Sequence, residues 1–160
     1  GARKVIVIGS PAARLEMARE FGADVCIPVE GTTPAERLEQ VLSHTQGRGA
    51  DIVMEFTGVP AAFNEGLQLA RKGARYLIVG QLGEGTVEIQ PSMIVKKNIQ
   101  VIGSFSGDAR SYALALDFMA AHQGDFPFER MITGRYRLDE VNVALERMKN
   151  YQEIKPVITF

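Results

Sequence analysis

Short aliphatic runs, each shut off by a glycine or a small polar pair, alternate along this chain with stretches of helical periodicity, and no other feature constrains the fold as much. Val5-Ile6-Val7-Ile8 stops at Gly9-Ser10-Pro11, and a helix is predicted next, with Leu15, Ala18 and Phe21 on one face and Gly22 at its end. Val25-Cys26-Ile27 reads as a second strand. Thr33-Pro34-Ala35-Glu36 is a helix start, with proline in the first turn and Leu38, Val41 and Leu42 as the apolar stripe. After the break at Gly47-Arg48-Gly49 comes a third strand, Asp51 to Phe56, and then the turn Thr57-Gly58-Val59-Pro60. A helix through Phe63, Leu67 and Leu69 is predicted to run to about Gly73, followed by a strand from Ala74 to Val79 that stops at Gly80. Ile99 to Gly103 is the fifth strand. Ser111 to His122 reads as a helix with Ala115, Phe118 and Met119 inward, and Leu138, Val141, Leu145 and Met148 as another. Pro156 to Phe160 closes the chain as a strand.

Strands that are apolar on both faces and separated by helices belong in a parallel sheet covered on both sides. Right-handed crossovers then give an α/β, doubly wound, Rossmann-like arrangement. The pattern changes near Gly124, so residues 1–124 are expected to form a partial nucleotide-binding domain and residues 125–160 a segment that returns to another domain. In such sheets ligands bind beyond the carboxyl ends of the strands. The residues there are Gly9-Ser10, Thr57-Gly58, Gly80-Gln81 and Gly103-Ser104, small enough for a flat ligand to lie against backbone N–H groups.

Composition narrows the functional classes. A net charge of −1 argues against nucleic acid as a partner, and no run is apolar and long enough to span a bilayer. Cys26 is the single cysteine, so no internal disulfide can form, and nothing reads as a secretion signal; both favour the cytoplasm. The candidate metal ligands Cys26, His44 and His122 are scattered, whereas a catalytic zinc needs three converging ligands. No Ser–His–acid arrangement is visible. Glu55 could reach a ribose or satisfy nearby backbone.

The order and spacing of these segments resemble the coenzyme domain of the medium-chain, zinc-type alcohol dehydrogenases. The matching stretches are Gly9-Ser10-Pro11 leading to Phe21-Gly22-Ala23-Asp24, Gly47-Arg48-Gly49-Ala50-Asp51 running to Glu55-Phe56-Thr57-Gly58, Ala74 to Gly80, Ile102 to Gly107, and the tail Ile154-Lys155-Pro156-Val157-Ile158. The resemblance covers essentially the whole chain. It implies an oxidoreductase that passes hydride between an alcohol or polyol and the nicotinamide of NAD(P), with a small-molecule alcohol or carbonyl as substrate. Gly9 stands where NAD-using members carry an acid, and Gly9-Ser10 resembles the pair in NADP-preferring members, with Arg14 available for a 2′-phosphate; NADP is therefore favoured. The resemblance places Phe56, Thr57 and Val59 on the adenosine side, Val79, Gly80 and Gln81 beside the nicotinamide ribose, Ser104 and Ser106 on the carboxamide, and Lys155 at the pyrophosphate.

Two family parts are absent. Gly80-Gln81-Leu82-Gly83-Glu84-Gly85 precedes a strand-like Thr86-Val87-Glu88-Ile89 and is a loop, not the glycine-rich phosphate fingerprint. The first strand and that fingerprint, and the zinc ligands, are expected in a preceding segment, so the chain alone is expected to be inactive and to carry no catalytic residue. Loss of a central strand would leave open edges on both remaining halves. Family members pair as dimers or tetramers, which implies contact through the edge near Ile99 to Gly103. A zinc-free quinone-type reductase of the same superfamily and a non-catalytic dinucleotide-binding module remain the rival readings. A methyltransferase with a similar sheet needs a glycine loop of its own and an antiparallel last strand, and the sequence has neither.

Overall fold

The computed structural model describes residues 1–160. The chain forms two compact units, one of Gly1–Gly31 with Asp108–Phe160 and one of Thr32–Gly107. Every strand pairing in both is parallel.

In the first unit, β1 (Ile6–Gly9) pairs with β2 (Val25–Pro28) across the helix α1 (Ala12–Glu20). Leu15, on the inward face of α1, and Ile27 are its buried anchors. The same unit holds a later strand–helix–strand piece.

The second unit is a three-stranded sheet in the order β3 (Ala50–Glu55), β4 (Ala70–Ile78), β5 (Gln100–Gly103), with α2 (Pro34–His44), α3 (Pro60–Leu69) and the short α4 (Ser92–Lys97) as its helices. The predicted start of α2 is a full capping box: the Thr33 hydroxyl accepts from the Glu36 N–H at 3.3 Å, and the Glu36 carboxylate accepts from the Thr33 N–H at 2.7 Å. The core is Leu67, Ala70, Ala74, Tyr76 and Ile99. Tyr76 is fully buried and donates its hydroxyl to the carbonyls of Ala62 (3.2 Å) and Phe63 (3.1 Å), which seats β4 on α3. Gly66 makes this possible, because a Cβ there would lie 2.2 Å from the Tyr76 hydroxyl. Lys97 closes the carboxyl end of α3, its ammonium donating to the carbonyls of Leu67, Gln68 and Ala70 at 2.8, 2.9 and 2.8 Å, the pole of a helix that favours a cation.

The remainder of the first unit contains α5 (Ala109–Ala121), β6 (Ile132–Arg137), α6 (Val141–Lys149) and β7 (Lys155–Thr159), with β6 paired to β7. Rings of Phe21, Phe118, Phe126 and Phe128 pack against one another, stacked or edge-on, with centroids 5.8 to 6.4 Å apart, and join the end of α1 to the end of α5. Buried Glu153 accepts from the Tyr136 hydroxyl at 2.5 Å, pinning the turn before β7 against β6.

Three expectations are corrected. The helix α3 ends at Leu69 and β4 starts at once at Ala70, not at Ala74; Ala70 pairs with Ala50, and the ladder resumes after an irregularity at Ile52↔Arg75. Thr86 to Ile89 is not a strand, and α4 was not foreseen. Ala115, Phe118 and Met119 do not face a core: α5 has no buried residue, and Phe118 is 51% exposed. Asp51 lies within β3, as expected, and is ion-paired to Arg71 at 2.5 Å. β1 pairs only with β2, and β3 only with β4, so each has one edge without a strand partner.

Candidate functional site

The carboxyl ends of β3 and β4 come into backbone contact through two glycines. A Cβ on Gly80 would sit 2.5 Å from the Gly58 nitrogen and 2.5 Å from the Phe56 carbonyl carbon, and one on Gly58 would sit 2.7 Å from the Gly80 oxygen. Gly58 also has φ +71°, in the region that favours glycine. The Val79 and Gly80 N–H groups both donate to the Glu55 carbonyl, at 2.9 and 3.0 Å. The result is a smooth backbone ledge without side chains at its centre.

Glu55, the last residue of β3, locks that ledge from beneath. It is 5% exposed. Its Oε1 accepts from the Thr57 N–H (2.6 Å), the Thr57 hydroxyl (2.6 Å) and the Gly58 N–H (2.9 Å). Its Oε2 is buried with no hydrogen-bond partner. Burial pushes the carboxyl up, but the donors of Thr57 and Gly58, with the Gln81 amide nearby, outweigh it and hold the carboxyl below its ordinary value of 4.5. With the folded value depressed, the carboxylate adds stability above about pH 4.5 that is lost as the pH falls through the lower folded value.

The other residues expected at this end of the second unit fall around the ledge. Phe56 (65% exposed), Thr57 and Val59 (55% exposed) stand in the open on the β3 side. Val79, Gly80 and Gln81 continue β4, and the Gln81 amide donates to the Val59 carbonyl at 2.9 Å, tying the two loops together. Ser104 donates its N–H to the Ile78 carbonyl at 2.9 Å. Ser106 has φ +58°, a left-handed conformation that a serine rarely adopts, in the exposed loop after β5. A shallow basic depression of Arg48, Arg71 and Lys72 lies beside the starts of β3 and β4, away from the ledge.

In the first unit, Gly9 ends β1 and Ser10 follows it. A Cβ at Gly9 would meet only the Leu15 Cδ2 at 3.7 Å, ordinary contact, so packing does not require glycine there. Pro11, the N-cap of α1, supplies no capping side chain, and the first turn of that helix carries no acid. Arg14, on its exposed face, lies over the Tyr151 ring at 5.2 Å. Lys155 is exposed at the start of β7.

Sequence reasoning placed both Thr57-Gly58 and Gly80-Gln81 at the strand ends where a ligand lies, but it carried no signal for the close backbone approach of Gly58 to Gly80. It left open whether Glu55 serves a ribose or the backbone, and Oε1 is committed to the backbone. The side chains present do not form a zinc site: no group of three His, Cys, Asp or Glu residues is placed to hold a metal.

Residues 1–121 match the family model described as zinc-binding dehydrogenase. The 5-exo-hydroxycamphor dehydrogenase of Pseudomonas putida is 38% identical over 159 residues, 99% of this chain and 44% of that protein. The D-arabitol-phosphate dehydrogenase of Enterococcus avium is 32% identical over 152 residues, covering 94% of this chain and 42% of its own length. An alcohol dehydrogenase crystal structure from Thermotoga maritima superposes with a TM-score of 0.91 at 31% identity, over 99% of this chain and 43% of that one. The chain thus spans less than half the length of the relatives it matches. On the match of its first 121 residues, the chain belongs to the zinc-binding dehydrogenase family.

Proposed function

We propose that the protein carrying this chain is an NAD(P)-dependent alcohol or polyol dehydrogenase, and that this chain supplies much of its nucleotide pocket. The observation that carries the proposal is the ledge of Gly58 and Gly80 at the carboxyl ends of two parallel strands, the place where open α/β sheets bind nucleotides. Phe56, Thr57 and Val59 would flank the adenosine, Val79, Gly80 and Gln81 the nicotinamide ribose, and Ser104 and Ser106 the carboxamide. The left-handed Ser106 supports that last assignment, since strained backbone gathers at ligand sites.

NADP is the proposed nucleotide. Gly9 is not demanded by packing, so the lack of an acid there fits a ribose that carries a 2′-phosphate. Arg14 on the first turn of α1 adds positive charge, and Lys155 would meet the pyrophosphate. When bound, the nicotinamide accepts hydride from the alcohol carbon. The role of this chain is to seat and orient that ring. Zinc has no ligand set among these residues. The open edge and exposed residues of β5 suit pairing of subunits into dimers or tetramers.

Turnover of the whole protein with a panel of secondary alcohols and polyols tests the reading. Alcohol-dependent formation of NADPH is expected, with none from the 160-residue chain alone. Turnover by that chain in isolation, or none by the whole protein on any alcohol, would overturn it.

A further inference from the structure

The two carboxylate oxygens of Glu55 are unequally served. One oxygen of its carboxylate takes three hydrogen bonds, while the other is buried and takes none. A carboxylate oxygen stripped of water and left without a donor is costly, so a group of this kind persists where the fold or its ligand makes use of it. Because Oε2 is shielded within the chain, a ligand cannot reach it directly, and any partner has to be a side chain already at the ledge. Tyr76 is close but has its hydroxyl committed to the Ala62 and Phe63 carbonyls. The Gln81 side chain lies beside the carboxylate. Its amide nitrogen carries two hydrogens, and the bond to the Val59 carbonyl uses one of them.

We propose that Glu55 is a positioning residue for the nucleotide, acting through Gln81: the second amide hydrogen of Gln81 turns to the free Oε2 when the ledge is occupied. In that arrangement Gln81 bridges the Glu55 carboxylate and the Val59 carbonyl. The bridge closes the loop after β4 onto the loop after β3. It also points the Gln81 carbonyl oxygen away from the carboxylate, as an acceptor for a hydroxyl of the ligand. Glu55 itself touches no ligand atom. The same carboxylate thus orders the Thr57 and Gly58 amides permanently and the Gln81 amide on binding. This inference rests on the nucleotide reading above.

A double-mutant cycle in the whole protein tests it, with NADPH and NADH fluorescence titrations as the probe and the thermal unfolding midpoint recorded for each variant. In Glu55→Gln the side chain keeps its shape, and Oε1 can still accept from Thr57 and Gly58. An amide nitrogen then faces the Gln81 amide, donor against donor. Nucleotide Kd is expected to rise about tenfold. Gln81→Leu removes the donor from a partly exposed position and is expected to raise Kd by a similar factor. The double variant is expected to bind no more weakly than Glu55→Gln alone, because both changes break one bridge. Independent, multiplying effects would overturn the proposal, as would an unchanged Kd in either single variant. Should Glu55→Gln fail to fold, Gln81→Leu decides alone: an unchanged Kd overturns the proposal and a rise of that size supports it. If the unmutated protein binds neither nucleotide, the nucleotide reading itself fails, an outcome separate from normal binding with insensitive variants.

Discussion

Replacing Arg37 by methionine is expected to destabilise the second unit by about 3–5 kcal/mol. Arg37 is 5% exposed, although it lies on a helix of polar aspect. Its Nε and Nη2 donate to the two oxygens of Glu65 at 2.6 and 2.7 Å, a bidentate pair, and Nη1 donates to the Thr32 carbonyl at 2.6 Å. The hydrogen bonds from Glu65 hold the guanidinium above its ordinary range, against the opposing effect of burial. Methionine fills similar space but leaves the Glu65 carboxylate, whose side chain is 17% exposed, without its counter-charge. The cost comes mostly from that orphaned charge. Removing both charges with Arg37→Met and Glu65→Leu should therefore recover most of the loss. Urea unfolding of the three variants checks this, and a single variant within 1 kcal/mol of the parent (roughly the worth of an exposed ion pair) would show that the pair contributes no more than a surface one.

The second large effect is expected at Gly80. Alanine there puts a Cβ within 2.5 Å of the Gly58 nitrogen and the Phe56 carbonyl carbon, and within 2.7 Å of the Thr57 nitrogen. All three are backbone atoms, so no side chain can swing aside. The ends of β3 and β4 must part. Overpacking of this sort costs about 1–3 kcal/mol in the fold. The larger consequence is for binding, because the bonds from Val79 and Gly80 to the Glu55 carbonyl, and the ledge built on them, are lost. Nucleotide affinity of the whole protein is expected to fall at least about a hundredfold, the scale of an Å-level misplacement at a site. Gly83→Ala is the control, since a Cβ at Gly83 meets nothing within 4 Å. Equal nucleotide affinity for Gly80→Ala and Gly83→Ala would place the site elsewhere.

Much of this architecture was legible in the sequence because it is written in local patterns. The aliphatic runs found β1, β2, β3 and β5, and Thr33-Pro34-Ala35-Glu36 marked the start of α2 with its capping box. The failures have physical causes. The boundary between α3 and β4 was misplaced because Ala70 to Gly73 carries no strand pattern of its own; Ala70 pairs with Ala50, and the ladder to β3 resumes, after an irregularity, at Ile52↔Arg75. The face of Ala115, Phe118 and Met119 reads as a core face of α5, yet Phe118 and Met119 are 51 and 40% exposed. The burial of Arg37 could not be read either, because its partner lies 28 residues away on another helix. At the site, the glycines at the strand ends were visible, but not the distance between Gly58 and Gly80, nor which oxygen of Glu55 the turn would claim.

The central claim is that these strand ends hold a dinucleotide, and the most direct measurement is calorimetric titration of the whole protein with NADP+ and NAD+ in parallel. Binding of both at one site per chain, with NADP+ tighter, is the predicted result; binding of neither would contradict the account.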